Sequence, residues 1–308
     1  MSGDTSVRVI AFPGAPNLPT FAAMELGFFA ARGIEVVLEM TPSSVAQAER
    51  CANGEIDIAC TAFDNVVAYA EGAGAAGPGV DPGYVTLMGA TQLELSLVTA
   101  PDVEQYADLV GRSIALDAPN TGFAFVLYEM LRRAGVEAGT YEVVAVGATP
   151  RRWESVRDGQ HAATLTLEPF TTIAARAGFR VLARSTDVLS SYQGGVITAP
   201  RSRLEERPEA IHGFMHGYLD GLEWVLDPAN RAAAGVMLVE RLGVSSEAVT
   251  GILDSLLSSR SGLTPQGAIL DDGVATVLDL RSRYGGKQLV DSGRYLDRSH
   301  YETVVAAR

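Results

Sequence analysis

In the first quarter of the chain, short apolar runs alternate with segments in which apolar residues recur at helical spacing. The short apolar runs VRVIAF, IEVVLEM and IDIAC have the length and β-branched content of buried strands. Between and after them, at residues 18–31, 43–52 and 64–71, apolar positions recur with helical spacing. Strands separated by helices predict parallel pairing and right-handed crossovers, and therefore an α/β lobe.

The same order of elements then repeats. A Gly-, Ala- and Pro-rich stretch, GAGAAGPGVDPG, predicts a flexible surface connection, and two strand-like runs follow it, YVTLMGAT and LELSLVTA. The second series contains RSIALDA, FAFVLYEMLRRAG, YEVVAV, RRWESVRDG, HAATLTL and a helix over residues 169–177. Because helix, Gly and strand follow one another in step in both series, we predict two similar lobes.

From residue 203 onward the pattern is helical, interrupted by Pro, Gly and Asp. An all-helical segment after two α/β lobes predicts a tail that returns to the first lobe and wraps it.

Composition excludes several classes of partner. The formal net charge of -13 argues against nucleic acid, which requires clustered Lys and Arg. No apolar run approaches the ~20 residues of a membrane span, so we expect no membrane insertion. The start MSGDTSVRVIAF has no basic segment followed by an apolar one, which predicts a cytoplasmic protein; a trimmed leader would instead predict a periplasmic or extracellular one.

Three stretches carry a family resemblance: APNLPTFAAMELGFFAARGIEVVLE, ANGEIDIACTAFDNVVA and DLVGRSIALDAPNTGFAF. Together they resemble the nitrate-, sulfonate- and taurine-type solute-binding proteins of ABC transporters, which share their fold with the pyrimidine synthase of thiamine biosynthesis. The resemblance implies a two-lobed, type II periplasmic-binding-protein-like α/β fold, in which two mainly parallel sheets are flanked by helices and followed by a helical tail.

The resemblance also implies a division of the chain and a function. Lobe 1 would comprise residues 1–95 and 198–308, lobe 2 residues 96–197, with crossings near residues 95–99 and 196–198. The lobes would close on one small, anionic organic solute and deliver it to the membrane permease of an ABC transporter. The alternative is a cytoplasmic enzyme or sensor on the same scaffold.

Lobes of this type bind ligands beyond the carboxyl ends of their strands, where helices begin. The candidates in the first lobe lie in three such loops: Ala15, Asn17, Thr61, Phe63, Asp64 and Thr91. Phe63 would supply a flat apolar wall. Asn17 and Asp64 suit helix capping as well as they suit a ligand, and Thr91 could equally close a turn.

In the second lobe, the strongest candidates precede the FAFVLY helix: Asp117, Asn120, Thr121 and Gly122. The backbone amides at residues 121–123 and the Thr121 hydroxyl would hold an anionic group there, whereas plain capping is the alternative. Glu168 would meet a donor of the ligand or cap the next helix. Tyr192 would close over the ligand or pack in the hinge.

Catalysis lacks its usual sequence signals. GxSxG, P-loop and post-strand GxGxxG motifs are missing, and the first loop, FPGAPN, contains no cysteine. Cys60 lies near a helix start, where a thiol pKa can fall, but small buried packing is the favoured interpretation. His212 and His216 have metal-like spacing without an obvious third ligand. We therefore expect no catalytic residue, no metal and no cofactor.

Overall fold

The computed structural model describes residues 5–92 and 94–308. Its first sheet contains β1 (Ser6–Ala11), β2 (Glu35–Met40), β3 (Ile58–Ala62), β4 (Tyr84–Gly89) and β10 (Gly195–Pro200), in the order β2-β1-β3-β10-β4. Its second sheet contains β5 (Ser96–Thr99), β6 (Ser113–Leu116), β7 (Glu142–Ala145), β8 (Ala163–Thr166) and β9 (Arg180–Arg184), in the order β7-β6-β8-β5-β9.

Both sheets are mixed, and four of the five strands in each point the same way. In the first, β1 is parallel to β2 and β3, and β10 runs antiparallel between β3 and β4. In the second, β6 is parallel to β7 and β8, and β5 runs antiparallel between β8 and β9. We call the first sheet with its helices the first lobe and the second sheet with its helices the second lobe. The predicted fold class is confirmed.

Helices of two kinds connect the strands. The α-helices are α1 (Leu18–Glu25), α2 (Ser44–Ala52), α3 (Phe63–Ala70), α4 (Gly122–Arg133), α5 (Thr149–Arg157), α6 (Phe170–Arg176), α7 (Arg201–Glu206), α8 (Pro208–Leu226), α9 (Arg231–Leu242), α10 (Val249–Leu256), α11 (Asp271–Gly285) and α12 (Arg298–Ala306). Short 3-10 helices occupy Ala15–Asn17, Ala30–Arg32, Tyr106–Leu109, Ser185–Asp187, Pro228–Asn230 and Pro265–Gly267.

Glycine and proline explain where the helices differ from the sequence prediction. The helix predicted over residues 18–31 ends at Glu25, because Gly27 adopts a left-handed φ of 76° that an α-helix cannot continue through. The first tail segment divides into α7 and α8 at Pro208, which cannot donate an intrahelical hydrogen bond.

The expected crossings are displaced by a few residues. Residues 96–99 form β5 of the second sheet, and residues 196–198 lie inside β10 of the first sheet. The chain therefore passes between the lobes after β4 ends at Gly89, and again after β9 ends at Arg184. Of the strand-like run LELSLVTA, Leu93 lies outside the described residues.

The tail joins both lobes, which corrects the expectation that it wraps only the first. The helix α8 packs along α1, where Gly221 brings it so close that a Cβ would lie 2.2 Å from the carbonyl oxygen of Pro19. The helix α11, by contrast, packs on α3 of the first lobe and on α4 of the second. One hydrophobic cluster consequently runs through both lobes and includes Val274, Val277 and Leu278 of α11.

Two histidines of α8 make stability depend on pH. His212 Nε2 lies 2.8 Å from His300 Nδ1, and His216 Nδ1 is buried with no hydrogen-bond partner among the described residues. Burial, then the neighbouring His300 and His216, lower the pKa of His212 below its ordinary value of 6.5. Burial, then the nearby Arg32 and Arg308, do the same for the pKa of His216, also ordinarily 6.5. The fold therefore favours the neutral rings.

The unfolded chain binds protons more readily at these two histidines than the folded protein does. The stability contributed by their neutral rings is therefore complete above about pH 6.5 and is lost as the pH falls through the folded-state pKa values. We expect a His212→Gln/His216→Gln variant to lose less unfolding free energy than the wild type between pH 7.5 and pH 5, roughly the range over which histidine titrates. Urea denaturation at each pH measures this loss, and equal losses in the two proteins would contradict the prediction.

Candidate functional site

A cavity lies between the lobes, at the edge where the parallel strands of both sheets end. Its volume is about 110 Å³. Residues that directly follow β1, β4, β6 and β8 line it, as do the first residues of the antiparallel β10. A cavity of this order of volume can hold a small organic molecule.

Much of the lining is apolar. The first lobe, with the start of β10, contributes Phe12, Pro13, Pro16, Ala62, Ala90, Val196 and Ile197, and the second lobe contributes Phe123, Ala148 and Leu167. The polar groups set among these apolar residues restrict which ligand the cavity accepts.

Arg152 of α5 is the first such polar group. It lines the cavity and is 1% exposed, and its Nη2 donates to Thr149 Oγ1 at 2.7 Å. Its Nε and Nη1 have no hydrogen-bond partner among the described residues. Burial lowers the pKa of Arg152 to about 10, which the negative charge of Asp117 partly opposes. A buried guanidinium without a carboxylate partner is costly, so the site favours a ligand that brings an anionic group.

Two helix N-termini add positive potential on the same side. The first intrahelical bond of α4 runs from Phe125 N to Thr121 O at 3.0 Å, and that of α5 from Arg152 N to Ala148 O at 3.2 Å. The amides that precede these donors have no acceptor within their own helix. Thr121, Gly122, Ala148 and Thr149 all line the cavity, so both helix starts face it.

Asp117 and Tyr218 also line the cavity. Asp117 follows β6, and its Oδ2 accepts a hydrogen bond from Ser44 N at 3.2 Å, while its Oδ1 is buried and has no partner among the described residues. Tyr218 reaches the cavity from α8, and its hydroxyl is likewise buried without a partner. Burial, and then the neighbouring Cys60, raise the pKa of Tyr218 and keep this hydroxyl protonated.

Half of the predicted site residues line the cavity: Asn17, Thr61, Thr91, Asp117, Thr121 and Gly122. The role expected for the Thr121 hydroxyl changes, because it donates to Ala118 O at 3.0 Å and its proton is already engaged. Asn17 holds its own loop in place, since its amide group donates to Phe12 O at 2.8 Å. Asn17 Nδ2 and the Thr121 hydroxyl proton are thus engaged with the backbone.

The other predicted residues of the first lobe do not line the cavity. Ala15 is buried, and its N–H donates to Glu168 O of the second lobe at 2.9 Å. Phe63 is buried edge-on against Tyr295, with ring centroids 6.4 Å apart. Asp64 forms a buried ion pair with Arg281.

In the second lobe, Asn120, Glu168 and Tyr192 also lie outside the cavity lining. Asn120 is exposed. Glu168 caps α6, because its carboxylate accepts from the N–H of Thr172 at 3.2 Å and from its hydroxyl at 3.1 Å. Tyr192 is buried behind Gly122, and burial raises the pKa of its hydroxyl.

Sequence reasoning missed Arg152 and Tyr218. A signal for Arg152 exists: Thr149-Pro150 after the strand YEVVAV is a helix start, which puts an arginine in the first turn at the ligand-binding edge. Tyr218 has no such signal, since its place in the cavity depends on how α8 packs.

The family assignment follows from a sequence match over most of the chain. The sequence model of the NMT1-like family matches residues 2–239. The chain belongs to this family. No curated protein matches the chain at the level of sequence.

Solved structures share the fold of this NMT1-like protein at low sequence identity. The periplasmic nitrate-binding protein NrtA from Synechocystis PCC 6803 is 13% identical, with a TM-score of 0.80 over 99% of this chain and 89% of that one. The alkanesulfonate-binding protein SsuA from Xanthomonas axonopodis pv. citri, bound to MOPS, is 15% identical, with a TM-score of 0.75 over 97% and 100%. The desulfurization enzyme DSZB is 14% identical, with a TM-score of 0.64 over 98% and 99%.

Two other kinds of chemistry, a reactive cysteine and a bound metal ion, find little support in the described part of this NMT1-like protein. Cys60 lines the cavity, but burial raises the pKa of its thiol to about 12, which disfavours the thiolate. Within residues 5–92 and 94–308, no group of three or more His, Cys, Asp or Glu side chains lies close enough together to hold a metal ion.

Within the same residues, no helix combines the length and apolar character needed to cross a membrane.

Gly122 holds the two lobes of the NMT1-like protein close together behind the cavity. A Cβ at this position would lie 2.5 Å from Asp64 Cβ and 2.7 Å from the Tyr192 hydroxyl oxygen. Asp64 cannot yield, because Arg281 binds both of its carboxylate oxygens. We expect Gly122→Ala to lower the free energy of unfolding by about 1–3 kcal/mol, the usual cost of overpacking.

Chemical denaturation measures this loss. The matched control is Gly79→Ala, where an added Cβ meets nothing within 4 Å. If the two variants prove equally stable, the close contact behind the cavity is not a constraint on the fold.

Proposed function

We propose that this protein binds one small anionic organic solute between its lobes, as the solute-binding component of an ABC-type importer. The single observation that carries the proposal is Arg152, a buried arginine that lines the interlobe cavity with Nε and Nη1 unpartnered among the described residues. An anionic group of the solute would satisfy both nitrogens with charge-assisted hydrogen bonds. The backbone amides at the starts of α4 and α5, which have no acceptor within their own helix, would donate hydrogen bonds to the same anionic group.

The comparisons support the same class of function. NrtA and SsuA are described as binding nitrate and alkanesulfonate, both of which are anions. A receptor of this type would hand its solute to a membrane permease, and it would meet that solute outside the cytoplasmic membrane. Both features belong to the proposal.

Closure of the lobes on the solute is part of the proposed function. We propose that the lobes divide at the two connections between the sheets, so that residues 96–194 form the second lobe and the rest of the chain the first. The second division moves from residue 197 to residue 194 because β10 begins at Gly195. These connections would act as hinges. Small-angle scattering of free and saturated protein would then show a smaller radius of gyration for the complex.

Calorimetry with small acids and their amides tests the binding proposal. We expect at least one small carboxylate or sulfonate to bind and to raise the melting temperature by mass action. The corresponding neutral amide should bind at least about tenfold more weakly, because it cannot pair with Arg152. Equal affinities for acid and amide would overturn the proposal.

Catalysis on this scaffold is the alternative function, since DSZB is described as a desulfurization enzyme. Cys60 is the nucleophile that such chemistry would draw on in the cavity, and its raised thiol pKa of about 12 argues against it. Cys60→Ser should therefore leave solute affinity unchanged. Turnover of a bound solute by the wild type, abolished in a folded Cys60→Ser protein, would favour the enzyme.

A further inference from the structure

Unpartnered polar atoms concentrate at the cavity. In residues 5–92 and 94–308, ten buried side-chain nitrogen and oxygen atoms have no hydrogen-bond partner. Four of these ten belong to residues that line the cavity: Asp117 Oδ1, Arg152 Nε, Arg152 Nη1 and the Tyr218 hydroxyl. Buried polar groups are normally satisfied, so this concentration indicates partners that a ligand supplies.

The charged members of this group have opposite signs and come from the same lobe. Asp117 follows β6, and Arg152 lies on the helix that follows β7, the strand beside β6 in the second sheet. Both line the cavity, yet Asp117 Oδ1 and the Nε and Nη1 of Arg152 have no partner among the described residues. The cavity thus presents a positive and a negative group from one lobe, and these atoms do not satisfy each other.

A carboxylate and a guanidinium select different ligand atoms. A guanidinium only donates hydrogen bonds, whereas an ionised carboxylate only accepts them. A solute with nothing but an anionic group would satisfy Arg152 but would leave Asp117 Oδ1 without a donor and place like charges near each other. A solute with an N–H donor close to its anionic group would satisfy both.

We propose that the solute is amphoteric, with an amine or a ring N–H bound by Asp117 next to the anionic group bound by Arg152. This inference rests on the proposed function and names the class of solute within it. The cavity volume of about 110 Å³ suits a small molecule of this kind. Asp117 is then the residue through which the site prefers amphoteric solutes over simple acids.

Matched pairs of acids, with and without an amine, test the inference. The pairs are propanoate with β-alanine, butanoate with γ-aminobutyrate, and ethanesulfonate with taurine, each titrated calorimetrically into the wild type and Asp117→Asn. In the wild type we expect the amine to strengthen binding by about tenfold or more in at least one pair. In Asp117→Asn this ratio should fall to about one, because the charge that attracts the amine is gone.

Asp102→Asn is the matched control. Asp102 lies in the same lobe and pairs with Arg112, and its side chain is 63% exposed. This variant removes the same charge away from the cavity, so it should keep the wild-type ratio. If Asp117→Asn does not fold, the wild-type ratios decide alone.

The outcomes separate the inference from the proposed function. If acids bind but the amine strengthens binding in none of the pairs, the inference is overturned and the binding proposal stands. If Asp117→Asn strengthens an acid and its amine partner equally, Asp117 only balances the charge of Arg152, and the inference is again overturned. If neither these acids nor their amine partners bind, both are overturned.

Discussion

Arg152→Met should abolish tight binding of an anionic solute and leave the protein at least as stable as before. The substitution removes hydrogen bonds to a charged group, each of which contributes about 1.5–3 kcal/mol. A loss of about 3 kcal/mol corresponds to a roughly 100-fold higher Kd, measured by calorimetry with an acid that binds the wild type. In the free protein the variant loses an unpaired buried charge, so its melting temperature should stay equal or rise.

Arg151→Met is the control for this prediction. Arg151 precedes Arg152 on the same helix but is exposed, so its removal changes the net charge equally without touching the cavity. A purely structural role for Arg152 predicts the reverse pattern, with a lower melting temperature and little change in affinity. An affinity within about twofold of the wild type would contradict the assignment of Arg152 as the anion partner.

Arg281→Met should destabilise the protein more than any surface substitution on α11. Arg281 is 4% exposed, and its Nε and Nη2 each bind one carboxylate oxygen of Asp64 at 2.6 Å. Its Nη2 also donates to Asn120 O at 3.0 Å, and its guanidinium lies 4.9 Å from the ring centroid of Phe125. Because Asp64 belongs to the first lobe and Asn120 and Phe125 to the second, this one side chain joins both.

The expected loss is about 3–5 kcal/mol of unfolding free energy, since Asp64 is left buried and unpaired. The control is Arg283→Met on the same helix, where the side chain is 41% exposed. Adding Asp64→Asn to Arg281→Met should recover part of the loss, because the unpaired charge is then removed. Chemical denaturation of the four proteins measures the effects. A double variant less stable than Arg281→Met alone would contradict this account.

The sequence predicts the two sheets well because local patterns determine them. Runs such as IDIAC and SIALD are short, apolar and bounded by helix signals, and they become β3 and β6. The binding edge follows from the same pattern, since parallel strands end together. Asn17, Thr61, Asp117 and Thr121, predicted from the sequence as ligand contacts, thus line the cavity.

The remaining site residues depend on tertiary packing. Tyr218 reaches the cavity because Gly217 and Gly221 let α8 approach α1 and Phe29, a contact between segments about 200 residues apart. Asp64 looks like a ligand contact in the sequence, but it pairs with an arginine 217 residues later. Neither the packing that places Tyr218 in the cavity nor the ion-pair partner of Asp64 can be identified from the sequence pattern around these residues.

The position of α11 in the chain has a consequence for biosynthesis. The second sheet is complete once residue 184 has been made, whereas the first sheet must wait for β10 at Gly195–Pro200. The apolar cluster shared by the lobes is completed only by Val274, Val277 and Leu278. During translation, the second lobe can therefore assemble while the first is still missing a central strand. The faces of α3 and α4 that α11 covers stay open until Asp271–Gly285 has emerged, and until then chaperones would have a hydrophobic surface to bind.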